Sequence, residues 1–284
     1  MIKMLSDDTG VVVAHFHPEG RVARHLLEFI AYVKQHVTPH IVLVSTGISD
    51  EDKLRVENYC PVIRRDNVGY DFWSYKEGLE ALSPNRLWKR WLIINSSIVI
   101  ANPSLLAHQL FSRPIEYGVI GLTSSEDGGE HVQSYCVMFD GEGFIRSDVM
   151  KNWWNAMQVI SERDRVIREY EIGMSQYFKK LGVPVRAIYK PTQNEKLNAI
   201  IRVIFQDGFK QTIPATQDHV VFQLKLSNRL NPTHFMWDAL FKQFGVVKID
   251  FLKRSIFAPQ LANILRSPEW ASVPVRDLIV DALR

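Results

Sequence analysis

VVVAHFHPEGRVARHLLEFIAYVKQHVTPHIVLVST, residues 11–46, decides the fold. Val11 to His17 is a short apolar, β-branched run behind the turn-forming Asp8-Thr9-Gly10, which is the pattern of a buried strand. Pro18 and Gly20 end it. Apolar residues then recur at Val22, Leu26, Phe29, Ile30 and Val33, the period of an amphipathic helix through His36. His40 to Thr46 is a second buried strand. A strand, a helix and a second strand in immediate succession predict a parallel pair with a crossover helix.

The alternation continues outward. Ser49, Asp50 and Glu51 open a polar helix reaching about Tyr59, and VIRRDN is a short strand. YDFWSYKEGLEAL (Tyr70–Leu82) reads as a helix, WLIINSSIVI (Trp91–Ile100) as a strand, and SLLAHQLF (Ser104–Phe111) as a helix. YGVIGLT and VQSYCVMFD are strands, Ile145–Ser161 and Arg165–Leu181 helices, and VPVRAIYK a late strand. The pattern predicts an α/β fold with a mostly parallel sheet flanked by helices. Ligands in such sheets bind beyond the carboxyl ends of the strands, so the loops after His17, Thr46, Arg65 and Asn95 should share one crevice. Beyond Pro191 the composition turns rich in Asn, Gln, Lys and aromatics, with helices over Pro232–Gly245 and near the end. This places a boundary between a first domain, residues 1–190, and a mainly helical C-terminal region, residues 191–284.

Bulk composition narrows the class. At 284 residues, 46% hydrophobic and 23% charged, the chain is an ordinary globular one that can bury a core without staples. A formal charge of +3 does not mark a nucleic-acid binder; it suits an anionic small ligand or weak attraction to acidic lipid headgroups. Cys60 and Cys136 show no CxxC spacing and no Cys/His cluster, so zinc is not expected, and a low cysteine count fits a reducing cytoplasm. No apolar run approaches the ~18 residues of a membrane span, and MIKMLSDDTG has no signal-peptide pattern. Walker, Rossmann, GxSxG and HExxH motifs are absent.

Five stretches could carry chemistry. In RRDNVGYDFWSYKEG (Arg64–Gly78), Asn67 and Gly69 can supply positive φ, and Asp71 stands at a helix start. Capping is the commonest use of such an Asp and is preferred on spacing; accepting hydrogen bonds from a sugar hydroxyl is the alternative. In INSS, Asn95, Ser96 and Ser97 end a strand at the predicted ligand face. They could bind phosphate or sugar oxygens, or simply turn the chain toward Asn102-Pro103. Thr123–Asp140 is a polar loop with Glu126, Asp127 and Glu130, running into His131, Gln133 and Ser134. It reads as a lid, or as a solvated hairpin with a surface histidine. Glu171 lies early in the helix of YEIGMSQYFKKLG, where the dipole would stabilise it; as a functional group it would deprotonate an acceptor hydroxyl. In Asn231–Arg254, a packing helix is followed by Lys248, Lys253 and Arg254, a solvated basic end or a surface for an anionic donor. His15 and His17 lie two apart on one strand and so face the same side, but two histidines do not make a metal site.

Taken in order, AHFHPEG, NVGYDFWSYKEGLE, INSS, GLTSS, HVQSYCVMF, YEIGMSQYFKKLG and NPTHFMWDALFKQFGVVKIDFLKR resemble the rhamnan synthesis F family of bacterial polysaccharide glycosyltransferases. The resemblance spans about Val11 to Arg254. It implies a GT-A-like fold, a nucleotide-sugar donor (UDP- or dTDP-sugar), and transfer to a glycan or lipid-linked glycan such as O-antigen or cell-wall polysaccharide. The implied setting is cytoplasmic, peripheral at the inner face of the plasma membrane, without nucleic acid. Carried over by position, Glu171 and His131 are the catalytic candidates. The donor-binding set is His15, Asn67, Asp71, Asn95, Ser96, Ser97, Gln133, Ser134 and Lys248.

The sequence departs from the family at Ser96, where the pattern reads Asn-Asp-Ser. A carboxylate there would help bind Mg²⁺ or Mn²⁺ against the leaving diphosphate. Without it, no metal ligand is assigned. Asp71 or Glu126 could hold an ion instead, or Arg64, Arg65, Lys248, Lys253 and Arg254 could replace it. A chain that has lost catalysis is the third option, as a non-catalytic GT-A-like binding module in a polysaccharide assembly complex. A nucleotidyltransferase is a weaker reading, since HFHPEGR makes a poor phosphate loop. The chain could also be one module of a longer synthase.

Overall fold

The computed structural model describes residues 6–82, 86–208, 230–253 and 273–284. Its strands, in chain order, are β1 (Thr9–His15), β2 (Ile41–Ser45), β3 (Val62–Arg64), β4 (Arg90–Asn95), β5 (Ile98–Ile100), β6 (Gly118–Gly121), β7 (Ser124–Ser125), β8 (His131–Val132), β9 (Cys136–Asp140), β10 (Val185–Ala187) and β11 (Val246–Lys248). Seven of them form the central sheet, in the spatial order β10-β6-β9-β4-β1-β2-β3. Every neighbouring pair is parallel except those of β9, which runs antiparallel to both β4 and β6. The expected mostly parallel α/β sheet is present.

Burial on both faces explains the unbroken apolar runs. Val11 and Val13 of β1 pack with Leu26, Phe29 and Ile30 of α1 (Arg24–His36) on one face. The helix Asp50–Glu57 (α2) starts at Ser49, whose side chain accepts from Asp52 N, as the polar cluster predicted. Val12 and Ala14 of β1 point to the other face, toward Phe72, Tyr75 and Leu79 of α3 (Tyr70–Ala81). α4 (Pro103–Phe111) starts at Asn102 with Pro103 in its first turn.

Gly78 lets α3 lie directly on the sheet. A Cβ there would sit 2.2 Å from Val12 Cγ1 and 3.0 Å from Val44 Cγ2. Gly78→Ala is therefore expected to destabilise the chain by about 1–3 kcal/mol of overpacking, outweighing the ~1 kcal/mol that alanine gains in helix propensity. A lowered urea midpoint at unchanged m-value would show it; an unchanged or raised midpoint would show that the helix can lift off freely.

Three expectations change in detail. WLIINSSIVI is two strands, not one: β4 stops at Asn95, and β5 begins a separate two-stranded sheet with β11. Asn95 Oδ1 accepts from both the N–H and the hydroxyl of Ser97, which turns the chain. The helix expected over Ile145–Ser161 is shortened to Asp148–Asn155, because the Tyr170 hydroxyl takes the N–H and carbonyl of Gln158. The helix expected over Arg165–Leu181 begins at Arg163 and contains a π-helical turn, Ile167–Ile172, before Gly173–Lys180. The polar loop after Thr123 is the hairpin of its second reading, with β7 antiparallel to β8. Among the described residues, no helix is long and apolar enough to cross a membrane.

Candidate active site

A cavity of about 550 Å³ opens at the carboxyl ends of β1 to β4. His17, Thr46, Asn67 and Ser96 all line it, so the four loops share one crevice as alternation predicted. The far wall comes from the C-terminal region, through Ile249, Asp250, Lys253 and Ala282.

The centre is a chain of hydrogen bonds built on the β4 turn. Asn95 Nδ2 donates to Asp71 Oδ2 at 2.7 Å. Asn95 Oδ1 accepts from Ser97, whose Oγ accepts from Lys248 Nζ at 2.6 Å. Lys248 Nζ also lies 4.7 Å from the centroid of the Tyr135 ring, a cation–π contact. β11 brings Lys248 here by pairing it with Ile98, next to Ser97. Burial lifts the Asp71 carboxyl above its usual range, against the pull of Lys248 and Asn95. Burial lowers Lys248, against the opposing charges of Glu171 and Asp71. These three groups therefore share one electrostatic neighbourhood.

Asp71 does not cap its helix, contrary to the preferred reading. The N-cap is Gly69, at φ 70°, with no side-chain bond. Its left-handed backbone leaves Asp71 in the first turn, where the carboxylate reaches Asn95 instead. Among the described residues, the non-glycine at positive φ is Tyr70 rather than Asn67. Asn67 is exposed on the cavity rim. Arg65 braces this loop, donating to Ser74 Oγ and to the carbonyls of Asp66, Val68 and Tyr70.

A second cluster surrounds Glu171. The residue sits within the π-helical turn, eight residues past the first residue of the helix at Arg163, not near a helix start. Its Oε2 accepts from the N–H and hydroxyl of Ser134, and its Oε1 lies 3.6 Å from His131 Nε2. His131 is buried, not a surface residue, and its Nδ1 is 2.7 Å from the Gly129 carbonyl. Gln133 accepts from Thr123 and donates to Asn231 Oδ1 at 3.3 Å, tying the hairpin to the Pro232–Phe235 turn.

Burial alone would raise the Glu171 carboxyl, but bonds from His131 and Ser134 outweigh it and lower the pKa. Burial alone would lower His131, but Glu171 and the Gly129 carbonyl outweigh it and raise the pKa. Stability from the raised His131 is full below its unfolded value of 6.5 and is lost as pH climbs through the folded value. Stability from the lowered Glu171 is present above 4.5 and is lost as pH falls through its folded value. His131→Gln is thus expected to cost most, about 1–2 kcal/mol, between those values, with the deficit shrinking by pH 9. A deficit independent of pH in chemical unfolding would mean the pair is not ionic.

His15 lines the cavity but is satisfied: Nδ1 pairs with Ser45 Oγ and Nε2 with the Arg21 carbonyl, both at 2.9 Å. Burial takes its pKa to about 4, so it is neutral. Ser96 Oγ accepts from Phe16 N at 3.2 Å and lines the cavity. Hydrogen bonds thus join Asp71, Asn95, Ser97 and Lys248, with Asp71, Ser96 and Ser97 on the cavity lining, while His131, Ser134 and Glu171 form a separate cluster off that lining. Phe16, Tyr70 and Tyr135 were not singled out from the sequence. Phe16, 51% exposed directly after a buried strand, was the available signal.

Among the described residues, the side chains do not assemble a divalent-cation site of their own. Such an ion favours carboxylate oxygens, Mg²⁺ commonly one or two of them completed by substrate phosphates and water. Position 96 is a serine, and both ends of the Asn95 amide are engaged. Glu126 lines a different cavity, with Glu130, away from Asp71. Among the described residues, no three of His, Cys, Asp and Glu gather as ligands. Both cysteines are buried, with thiols pushed up to about 12.

A mostly parallel seven-stranded sheet carrying a crevice at its strand ends defines an α/β protein of the ligand-binding crevice type. The chain belongs to the rhamnan synthesis protein F family, whose family model matches residues 41–208. It is similar to the uncharacterized protein y4gN of Sinorhizobium fredii, 27% identical, over 66% of this chain and 50% of that one. It is also similar to the virulence protein VirA of Vibrio anguillarum, 28% identical, over 75% and 68%. The chain thus spans about half the length of the first relative and about two thirds of the second. Among solved structures, 4-diphosphocytidyl-2C-methyl-D-erythritol synthase from Anaerococcus prevotii superposes at TM-score 0.39, with 14% identity over 77% of this chain and 96% of that one. Glucosyl-3-phosphoglycerate synthase from Mycobacterium tuberculosis, solved with Mn²⁺ and UDP-glucose, superposes at 0.40, with 12% identity over 72% and 80%.

Proposed function

We propose that this chain is a glycosyltransferase that moves a hexosyl unit from a nucleotide-sugar donor, UDP- or dTDP-linked, to a growing bacterial surface polysaccharide. One observation carries the reading. Asp71, Asn95, Ser97 and Lys248, drawn from three distant parts of the chain, form one hydrogen-bonded line beside a cavity large enough for a nucleotide. Family membership supplies the polysaccharide context.

In this reading the nucleobase stacks on the exposed rings of Phe16 and Tyr70 at the mouth. The sugar hydroxyls meet Asp71 and the β4 turn. Glu171, ionised at neutral pH, takes the proton of the acceptor hydroxyl. That oxygen attacks the anomeric carbon as the bond to the phosphate oxygen breaks, and the nucleoside diphosphate leaves with the electron pair. His131 orients the base. Residues 191–284 complete the site, a role supported by Lys248 and by the cavity wall of residues 249–253. The acceptor is a glycan or lipid-linked glycan at the cytoplasmic face of the membrane, to which a formal charge of +3 is suited.

Thermal unfolding against UDP-, dTDP- and GDP-sugars tests the donor site. A ligand at ~100 times its Kd should add about 2.7 kcal/mol to stability. No shift with any donor would sink the reading. The Ser96 departure favours one second reading, a module that binds donor or glycan without turnover. A wild-type chain that transfers sugar to a glycan acceptor would end it; donor binding without transfer or donor hydrolysis would establish it.

A further inference from the structure

A leaving nucleoside diphosphate brings negative charge that a protein must meet with cations or dipoles. With no set of metal ligands at the crevice, the question is which cations face it. The structure separates the candidates. Arg64 pairs with Asp50 on the surface. Arg65 is spent on its own loop. Lys248 is held between Ser97 and the Tyr135 ring. Arg21 lines the cavity but binds the Asp281 carboxylate and carbonyl of the last helix. Arg254 lies outside the described residues.

His15 and His25 are buried and held neutral by that burial, which leaves two groups on the cavity wall. Lys253 is exposed and makes no ion pair with any described residue. His17 uses Nδ1 to accept from the N–H groups of Glu19 and Arg21, at 3.2 and 3.4 Å, so its ring proton sits on Nε2. Asp250, an acidic side chain of the same wall, stands 3.4 Å from His234 Nε2. Asp71 accepts from Asn95 through Oδ2 and keeps Oδ1 for the sugar hydroxyls of the donor reading. An ammonium and an N–H donor thus share a cavity with the Ser96 hydroxyl.

We infer that this chain holds its donor's diphosphate without a divalent ion, through Lys253 and the Nε2–H of His17. The inference rests on the donor-site reading above and names how that site meets its charge. The exchange is chemically coherent. An aspartate at position 96 would repel the diphosphate unless a cation stood between them, whereas the Ser96 hydroxyl can turn from its long 3.4 Å bond to the Phe16 carbonyl and donate to it.

Calorimetric titration of the full chain with inorganic pyrophosphate, with UDP, dTDP and GDP, and with the matching nucleosides tests this. In EDTA, pyrophosphate and one diphosphate should bind, with affinities within about two-fold of those in Mn²⁺. Lys253→Gln and His17→Asn should each weaken both by about ten-fold or more, as expected for losing a charge-assisted bond, while the nucleoside binds unchanged. Asn keeps an acceptor for the Glu19 and Arg21 N–H groups, and Lys253→Arg should restore binding. Binding that requires Mn²⁺, or variants that bind pyrophosphate like the wild type, would overturn the inference and leave the donor site standing. Failure of every diphosphate and nucleotide sugar to bind would overturn the donor site itself. Thermal midpoints matching the wild type would exclude a folding defect.

Discussion

Glu171→Gln is expected to lower sugar transfer by about 10²–10⁴-fold while leaving donor affinity within about two-fold. The substitution is nearly isosteric. The amide oxygen can still accept from Ser134 N, which the carboxylate does at 2.9 Å, so the hairpin keeps its anchor. What is lost is the capacity to take a proton, together with the ionic contact to His131 at 3.6 Å. The effect should fall on kcat rather than KM, because the group acts in the transition state. The pH profile supplies an independent sign. Bonds from His131 and Ser134 hold the carboxyl below 4.5 against burial, so the acid limb of activity should lie below that pH. His131→Gln removes one of those bonds and should move the limb upward. Near wild-type kcat in the Glu171→Gln variant would remove Glu171 from the mechanism.

Arg90→Met is expected to destabilise the chain by about 3–5 kcal/mol, the largest single effect on folding anticipated here. Arg90 and Asp140 are directly opposed where β4 and β9 pair, and both are almost wholly buried. The contact is bidentate, at 2.7 and 2.6 Å, and further guanidinium bonds run to the carbonyls of Leu110, Arg113 and Pro114. Removing the cation leaves Asp140 buried and unpaired, which is the costly state. Replacing both, as Arg90→Met with Asp140→Leu, should recover much of the loss. Urea midpoints of the three chains would show this, and a single variant within about 1 kcal/mol of the wild type would contradict it. The pair lies at the opposite end of β4 from Asn95, about 17 Å away at 3.3 Å per residue. Donor affinity of the folded variant should therefore be unchanged.

The frame was legible because strand and helix periods are local. The β-branched run at Val11–Val13 and the helical spacing of Leu26, Phe29 and Ile30 each specify their own element, and their succession leaves few topologies. The shared crevice followed from that order alone. Resemblance then drew Asp71, Asn95, Ser97 and Lys248 into one set, though spacing could not have done so.

Three features depended on tertiary structure. Asp71 looked like a cap because capping is the local use of an aspartate at a helix start, yet Asn95, 24 residues on, takes its carboxylate. The single strand read through Ser96 breaks because Ser97 bonds back to Asn95 and β5 finds a partner in β11, almost 150 residues away. Glu171 looked like a residue of a helix start; the π-helical turn and the buried His131 give it its partners instead. The reason is common to all three. Apolar burial is repaid by any neighbour of the right shape, so a sequence pattern announces it. A polar side chain is satisfied by one particular atom, and only the folded chain decides which atom that is.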